Sequence, residues 1–451
     1  MMYYRIILIC LSFLLLLNSC RKSNYSLDGD FVVIRDLGFG IGDRTLKAGT
    51  DYLIDGLVFV NDGQELVIEP GTVIRFKPGQ AENASALIVA RGGTILAAGT
   101  AEKPIIFTAE ADDLKGSVPV YAQGLWGGLI ILGSASINSP GGEAIIEGLP
   151  LSEPRAVYGG QFDQDNSGIL RYVSIRHGGT NIGQGNEING LTLGGVGSGT
   201  IIEFVEVVSN KDDGIECFGG TVNLRYLIVA FCGDDAFDYD LGYRGKVQFF
   251  CALQSPAGSD RMIEADGNSF EKQVVFPYSS PDFMNLTLVG YRNGQGDQIA
   301  TFSTNAAGTI RNSIFLNQDN GMLLEYSAFR DNSYKQWIDG RIAVSNNIFF
   351  NVSDNTGDGI FRVHGINGEP TSTEDDLFGN YFSAAVNQIV DPGFLLSENL
   401  FRLNPSSPEV FTQLFETSDN WFIKVPYKGA FFQEDWVHWT LLGKRGILQI
   451  N

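Results

Sequence analysis

The sequence predicts an all-β protein, a single-stranded right-handed parallel β-helix (a solenoid) with loop insertions and an aromatic C-terminal cap. Apolar segments with an alternating pattern recur from residues 66–74 to residues 342–350, each after turn residues, and helical periodicity is nearly absent. Glycine is abundant, with 55 residues, and charged residues make up only 18% of the 451. This composition is typical of tightly turned β-structure.

The clearest repeat lies between residues 203 and 246. A shift of 22 residues places Val205 on Leu227, Val207 on Val229 and residues 212–213 on residues 234–235. One three-strand coil of a parallel β-helix has about this length, and neighbouring coils stack about 4.8 Å apart with backbone hydrogen bonds between them. Because one coil cannot bury its own apolar face, stacking is what stabilises such a fold.

The N-terminus carries a targeting pattern. Arg5 precedes a twelve-residue apolar run, Ile6 to Leu17, which is too short to span a bilayer comfortably. The run ends in Leu-Asn-Ser-Cys at residues 17–20, which resembles the bacterial lipobox. The resemblance implies a lipoprotein signal peptide at 1–19, cleavage before Cys20, lipidation of the Cys20 thiol and a tether at 20–30.

The rest of the chain divides into two parts. Residues 31–370 are predicted to form the β-helix, with loops at 111–124, 139–167 and 254–282 that are rich in Gly, Pro and polar residues. Residues 371–451 are predicted to form the terminal coils and the cap, beginning with a polar linker from Thr371 to Asp376. An aromatic set is expected to cover the exposed strands of the last coil: Trp421, Phe422, Phe431, Phe432, Trp436 and Trp439.

Several longer motifs carry a family resemblance. They are Glu-Pro-Gly-Thr-Val-Ile at 69–74, the glycine-rich segment 92–100, Leu-Trp-Gly-Gly at 125–128, Phe-Gly-Gly-Thr-Val-Asn at 218–223 and Tyr-Lys-Gly-Ala-Phe at 427–431. Together they resemble the right-handed β-helix repeat lipoproteins of the Bacteroidetes, a largely uncharacterised family. The resemblance implies an outer-membrane lipid anchor, and a TonB-dependent transporter or another envelope assembly as partner. Surface-exported members usually carry acidic residues after the cysteine, whereas this chain has Arg21 and Lys22, so the membrane face is left open.

Charge and residue counts exclude other classes. The net charge of −21 leaves no basic patch for phosphates, so no nucleic-acid partner is expected. The three histidines, His177, His364 and His438, are far apart and lack zinc-binding spacing. Cys217, Cys232 and Cys251 are expected to be buried free thiols. No cofactor is required.

The candidate chemistry is an acidic column on neighbouring coils, formed by Asp212 and Asp213 over Asp234 and Asp235. Glu216 and Asp238 lie just beyond, and Glu264 and Asp266 extend the column. Stacked carboxylates repel unless a cation, a basic residue or a shared proton intervenes.

Three interpretations of this column are open. In the first, the acids are structural turn residues, some of them paired with Lys211, Arg225, Arg244 or Lys246. In the second, Asp213 and Asp235 bind Ca²⁺. In the third, the residues Asp212, Asp213, Asp234 and Asp235 supply the two carboxyl groups of a polysaccharide hydrolase or, with Ca²⁺ and a basic residue, serve a lyase.

A second set of residues points to glycan binding. Tyr239 and Tyr243, together with Tyr158 and Phe162, are candidates to stack on sugar rings, while Glu216 and Asp238 would hold hydroxyl groups. Asn312 and Asn346 or Asn347 are expected to form an internal amide ladder. The sequence therefore favours a non-catalytic outer-membrane lipoprotein that binds a glycan or an envelope partner protein; the alternative is a polysaccharide hydrolase or lyase.

Overall fold

A computed structural model describes residues 25–28, 31–183, 186–256, 258–267, 276–292, 294, 298–397 and 399–450. The strands of the N-terminal part are β1 (Tyr25–Asp28), β2 (Phe31–Ile34), β3 (Arg44–Leu46), β4 (Tyr52–Ile54), β5 (Leu57–Val60), β6 (Glu65–Ile68), β7 (Val73–Phe76), β8 (Ala86–Val89), β9 (Thr94–Ala98), β10 (Ile105–Ala109), β11 (Leu129–Leu132), β12 (Glu143–Ile145), β13 (Val157–Gly159), β14 (Gly168–Arg176), β15 (Asn181–Gly183), β16 (Asn186–Glu187), β17 (Leu191–Gly194) and β18 (Ile201–Val208).

The strands that follow are β19 (Ile215–Phe218), β20 (Asn223–Ala230), β21 (Phe237–Asp240), β22 (Lys246–Leu253), β23 (Arg261–Asp266), β24 (Asp282–Val289), β25 (Gln298–Ser303), β26 (Gly308–Arg311), β27 (Ile314–Gln318), β28 (Asn320–Tyr326), β29 (Ile342–Ser345), β30 (Ile348–Val352), β31 (Phe361–Gly365), β32 (Gln388–Ile389), β33 (Leu395–Ser397), β34 (Leu400–Arg402) and β35 (Leu448–Gln449). The α-helices are α1 (Ser333–Ile338), α2 (Gly357–Ile360), α3 (Ser372–Ala384) and α4 (Leu441–Lys444), and short 3₁₀ turns lie at Ala81–Asn83, Pro140–Gly142, Pro154–Ala156, Ile366–Gly368 and Pro408–Phe411.

Most of these strands stack as coils with three faces, and the fold is a right-handed parallel β-helix, as predicted. The first face is a ten-stranded parallel sheet that runs from β5 to β31, and we call it the B face. The other two faces belong to one larger sheet and share the long strands β14, β18, β20, β22 and β24. The predicted shift of 22 residues is confirmed, because Val205 pairs with Leu227 and Val207 with Val229.

Each long strand bends at one residue in the left-handed region. Tyr172, Phe204, Tyr226 and Phe249 have φ of 51°, 55°, 60° and 56°, and their rings stack up the solenoid with centroids 4.3–4.9 Å apart. Such φ values are uncommon outside glycine, so the stacked rings help to hold the bend. We call this outer edge of the coils the flank.

The core is continuous along the axis, as stacking of apolar rungs requires. Leu, Ile, Val and Phe side chains from all three faces interdigitate inside the coils, and Ile215, Phe237 and Ile263 form one such ladder on the B face. Cys217 and Cys232 lie in the core inside the coils, and Cys251 is buried in the apolar cluster between the coils and the C-terminal segment; all three thiols are free, as expected. Among the residues described, no helix is long and apolar enough to cross a membrane.

The aromatic C-terminal segment lies elsewhere than predicted. It runs along the flank instead of covering the last coil: Trp439 meets the edge of Tyr172 and Trp436 that of Tyr226, with centroids 5.4 Å apart in both pairs. Near its end, the backbone N–H groups of Leu441 and Leu442 donate to the buried Glu206 carboxylate at 2.9 and 3.2 Å. The stacked rings of the flank give this segment an apolar surface against which it packs.

Helix α3 covers the last coil instead. Phe378 and Phe382 are buried, and their rings lie 4.7 and 5.2 Å from the ring of Phe361 on β31. The predicted polar linker from Thr371 to Asp376 is therefore wrong, because Ser372–Ala384 is helical. Glu374 and Asp375 lie in its first turn, where negative charge stabilises a helix.

The expected amide ladder is present only in part. Asn347 donates from its backbone N–H to Asn387 Oδ1 at 3.0 Å, which continues the ladder inside the coils. Asn312 and Asn346 instead donate to the carbonyls of Phe415 and Gln413 in the C-terminal segment, both at 2.9 Å. These two amides fasten that segment to the flank.

Candidate functional site

The predicted acids converge on the B face. Glu216, Asp238 and Glu264 occupy directly paired positions of β19, β21 and β23, so their side chains lie in one row across three coils. Asp240 follows Asp238 by two residues and points to the same side of the sheet, because side chains alternate along a strand. We define the acidic cluster as Asp212, Asp213, Glu216, Asp234, Asp235, Asp238, Asp240, Glu264 and Asp266.

The turns that enter these strands are built by two of the acids. Asp213 Oδ1 accepts a hydrogen bond from the Asp235 backbone N–H at 2.9 Å, and Asp235 Oδ1 accepts one from the Arg261 N–H at 2.5 Å. One oxygen of each carboxylate therefore has a structural role, which agrees with part of the structural interpretation. The other oxygen of Asp235, Oδ2, lies 3.6 Å from the Arg261 guanidinium.

Among the residues that the structure describes, three groups of carboxylates have one oxygen from each member within 4.8 Å of the others. They are Asp213 with Glu216 and Asp238, Asp212 with Asp213 and Asp234, and Asp234 with Asp235 and Asp260. The predicted metal ligands Asp213 and Asp235 therefore do not share a group. The first group lies deepest, since Asp213 and Glu216 are 7% and 6% exposed.

Two oxygens of the cluster lack partners. Asp238 Oδ1 and Asp240 Oδ1 are buried, and neither has a hydrogen-bond partner within the part of the chain that the structure describes. Glu216, by contrast, accepts a hydrogen bond from the Asn189 side chain. Unpartnered buried carboxylate oxygens are costly, so these two atoms indicate a proton or a cation that the protein side chains do not supply.

Burial and mutual repulsion disfavour ionisation throughout the cluster. Burial is the main cause that raises the pKa of Asp213, Glu216 and Asp238 well above the usual range, and neighbouring carboxylates add to the effect. Burial, with the charge of Asp234 next, raises the pKa of Asp212 to about 7. Without a bound cation, burial and repulsion therefore favour the protonated forms of these carboxyl groups.

The basic partners expected from the sequence lie elsewhere. Lys211 pairs with Glu187 at 2.8 Å, Arg244 with Asp163 at 2.7 Å and Lys246 with Asp419, while Arg225 lies over the Trp421 ring. Among the described residues, the basic side chain that does form ion pairs with the cluster is Arg261. It lies 2.9 Å from Glu264 and 3.6 Å from Asp235.

The prediction that Tyr239 and Tyr243 stack on sugar rings is wrong. Tyr239 and Tyr243 are fully buried, and their hydroxyls donate to the carbonyls of Ala307 at 2.8 Å and Val222 at 3.0 Å. Because side chains alternate between the two faces of β21, Tyr239 points into the core while Asp238 and Asp240 point outward. Tyr158 is also buried, whereas Phe162 remains 64% exposed.

An insertion between β11 and β14 lies along one side of the acidic cluster. It leaves the coils after β11, forms the β12–β13 hairpin and returns at β14. Asn138 fastens it to the ends of the B-face strands through hydrogen bonds to Leu241 O and Gly267 O, both at 2.8 Å. The insertion also brings Glu147, whose charge adds to the larger effect of burial in raising the pKa of Asp212, Glu216 and Asp240.

Sequence reasoning missed Asp240, Glu147 and Asp260. Asp240 was detectable, since it stands two residues after Asp238 in an alternating strand. Glu147 and Asp260 lie outside the repeat, in an insertion and a turn, and no local pattern marks them. Cys20 lies outside the described residues, so its lipidation stays a prediction.

The comparisons with known proteins identify the family. Residues 40–374 match the family model described as a pectate-lyase-like β-helix domain. No curated protein and no solved structure was found to match the chain. Because the match covers well over half of the sequence, the chain belongs to the family of pectate-lyase-like β-helix domains.

Proposed function

We propose that this protein is an outer-membrane lipoprotein, anchored through Cys20, that binds a polysaccharide on its B face through a divalent cation, with Ca²⁺ the preferred ion. The observation that carries the cation site is the convergence of Asp213, Glu216 and Asp238 within 4.8 Å. Two oxygens bound to one Ca²⁺ at about 2.3–2.6 Å lie at most about 5 Å apart, so this spacing fits a shared ion.

The ligand set suits calcium and leaves room for a glycan. Three carboxylates supply up to six oxygens, and Ca²⁺ takes six to eight, so glycan hydroxyls, glycan carboxylates or water complete the shell. A cation also removes the repulsion between stacked carboxylates and provides a partner for Asp238 Oδ1. The family, by its name, points to polysaccharide as the ligand class.

Binding is favoured over cleavage. Glycosidases hold two carboxyl groups about 5–5.5 or 6.5–9.5 Å apart, whereas the deepest group here brings one oxygen from each of three carboxylates within 4.8 Å, an arrangement that suits a shared cation. A lyase needs a basic residue that is free to remove a proton, and Arg261, the basic residue at the cluster, is paired with Asp260 and Glu264 at 2.9 Å. One observation supports hydrolysis as a second candidate: Asp212, with its pKa of about 7, has the protonation of a general acid.

Calorimetric titration of Ca²⁺ into the metal-free protein tests the cation site. We expect binding to the unaltered protein, and Asp238→Asn should weaken it at least tenfold because a charged ligand is lost. Asp376→Asn removes an equal charge from an exposed position on α3 and should leave the affinity unchanged. Equal affinities for both variants would contradict the assignment.

Incubation with a panel of acidic and neutral polysaccharides then separates binding from cleavage. We expect Ca²⁺-dependent retention without new double bonds or new reducing ends. New reducing ends that form without double bonds and disappear with Asp212→Asn would establish the hydrolase instead, and reducing ends accompanied by new double bonds would establish a lyase.

A further inference from the structure

The first coil places the tether beside an unusual loop. Strand β1 pairs antiparallel with β2 so that Tyr25 lies opposite Ile34 and Asp28 opposite Phe31. Tyr25, the first described residue, therefore lies at the Ile34 end of β2. Five residues, 20–24, separate the Cys20 end of the tether from β1. At about 3.3–3.6 Å per residue, Cys20 stays within roughly 18 Å of Tyr25.

The loop that follows β2 exposes two large apolar side chains. Leu37 and Phe39 are 70% and 77% exposed, and Leu37 stands only three residues after Ile34. Asp36 stabilises the loop, since its Oδ1 accepts hydrogen bonds from the Gly38 and Gly40 N–H groups at 2.7 and 2.9 Å. Both glycines have positive φ, 95° and 71°, which the tight turn requires.

A second apolar tip is fastened to the same loop. Leu151 is 82% exposed in the turn that Glu153 N–H closes on Pro150 O at 2.9 Å. Arg155 joins the two loops, because its guanidinium lies 2.7 Å from Glu153 and 2.6 Å from Asp36. Arg155 thus offsets one of the two negative charges that Asp36 and Glu153 bring to this surface.

We infer that Leu37, Phe39 and Leu151 form a membrane-contact surface that enters the interface of a phospholipid bilayer beside the lipidated Cys20. Exposed apolar tips on rigid loops gain by leaving water, and they reach the bilayer because the tether emerges next to them. The surface orients the solenoid with its first coil at the membrane and its last coil away from it. This inference rests on the lipid anchor proposed above and not on the cation site.

Site-specific fluorescence in vesicles tests the inference. Full-length lipidated Phe39→Cys protein, labelled with an environment-sensitive dye, is reconstituted into phosphatidylcholine vesicles. The native thiols Cys217, Cys232 and Cys251 are buried and do not compete for the label. The matched control is Phe329→Cys, which is 89% exposed after β28, near the opposite end of the B face.

We expect the emission of the label at position 39 to shift to the blue and to be largely quenched by lipids that carry a nitroxide. The label at position 329 should keep its aqueous emission. The same aqueous emission at position 39, in protein that floats with the vesicles, would overturn the contact surface and leave the anchor standing. Protein that does not float would overturn both, and Ca²⁺ binding, measured separately, would be unaffected in either case.

A blue shift at position 39 without quenching by the labelled lipids would mean that a second copy of the chain covers these side chains. That outcome also refutes the membrane assignment. The triple variant Leu37→Ser, Phe39→Ser, Leu151→Ser provides the converse measurement. It should still float through Cys20, but a dye placed on its first coil should show no lipid quenching.

Discussion

Removal of divalent cations should make the stability of this protein fall as the pH rises from about 4 to about 7. The pKa of Asp212 is about 7 in the folded chain and 3.8 as an isolated group. Between these values the folded state holds a proton that the unfolded state has released. The free energy of unfolding therefore decreases with rising pH across this window.

The structure sets the size of the effect. A rise of about three pKa units corresponds to roughly 4 kcal/mol, since each unit is worth about 1.4 kcal/mol. Asp212 is only partly buried, so solvent screening reduces its contribution to about 2 kcal/mol. The raised pKa values of Asp213, Glu216 and Asp238 act in the same direction. Ca²⁺ at about one hundred times its dissociation constant should restore about 2.7 kcal/mol.

Urea unfolding followed by circular dichroism measures this dependence, with midpoints compared at about pH 5 and pH 7.5 in metal-free buffer. We expect a lower midpoint at the higher pH and its recovery on addition of Ca²⁺. Asp212→Asn should flatten the pH dependence, whereas Asp376→Asn should not. A midpoint that is independent of pH, or one that rises with pH, would refute the view that the cluster opposes folding when it is ionised and empty.

Two further predictions concern the parts that enclose the coils. Trp439→Ala should lower the free energy of unfolding by about 3–5 kcal/mol, because a fully buried ring is lost from the flank. The Ca²⁺ affinity should stay unchanged, and a fully folded variant that no longer binds Ca²⁺ would contradict the separation of the flank from the acidic cluster. Phe378→Ala should lower the free energy of unfolding by a similar amount and loosen α3 from the last coil, so that the exposed strands associate between molecules. Size-exclusion chromatography would detect this association, and a stable monomer would show that α3 is not the cap.

The stacking of coils could be predicted from the sequence because it depends on a local repeat. The 22-residue shift correctly paired Glu216 with Asp238. The same alternation also places Tyr239 in the core, so the error at that residue came from judging tyrosine by its chemistry and not by its position in the strand. Asp240 lies two residues after Asp238, so the same alternation places it on the same face of the strand, and it could have been included in the predicted site.

The C-terminal segment could be predicted only in part. The spacing of Phe378, Tyr381 and Phe382 is helical, so α3 was readable from sequence. The position of the remaining segment was not, because it depends on contacts between residues far apart in the chain. Leu441 and Glu206, for example, are separated by 235 positions, and no repeat or motif relates them.

The placement of the acids along the B face argues that they serve a ligand. The row that contains Glu216, Asp238 and Glu264 continues in both directions with a threonine, Thr192 on β17 and Thr301 on β25. A solenoid that needed only polar outward residues could have kept threonine on every coil, without repulsion between stacked charges. Three adjacent coils carry a carboxylate in this row instead of a threonine, and they lie beside the insertion that contributes Glu147. Sites that oppose folding locally are where function is expected, and a bound cation would remove this repulsion.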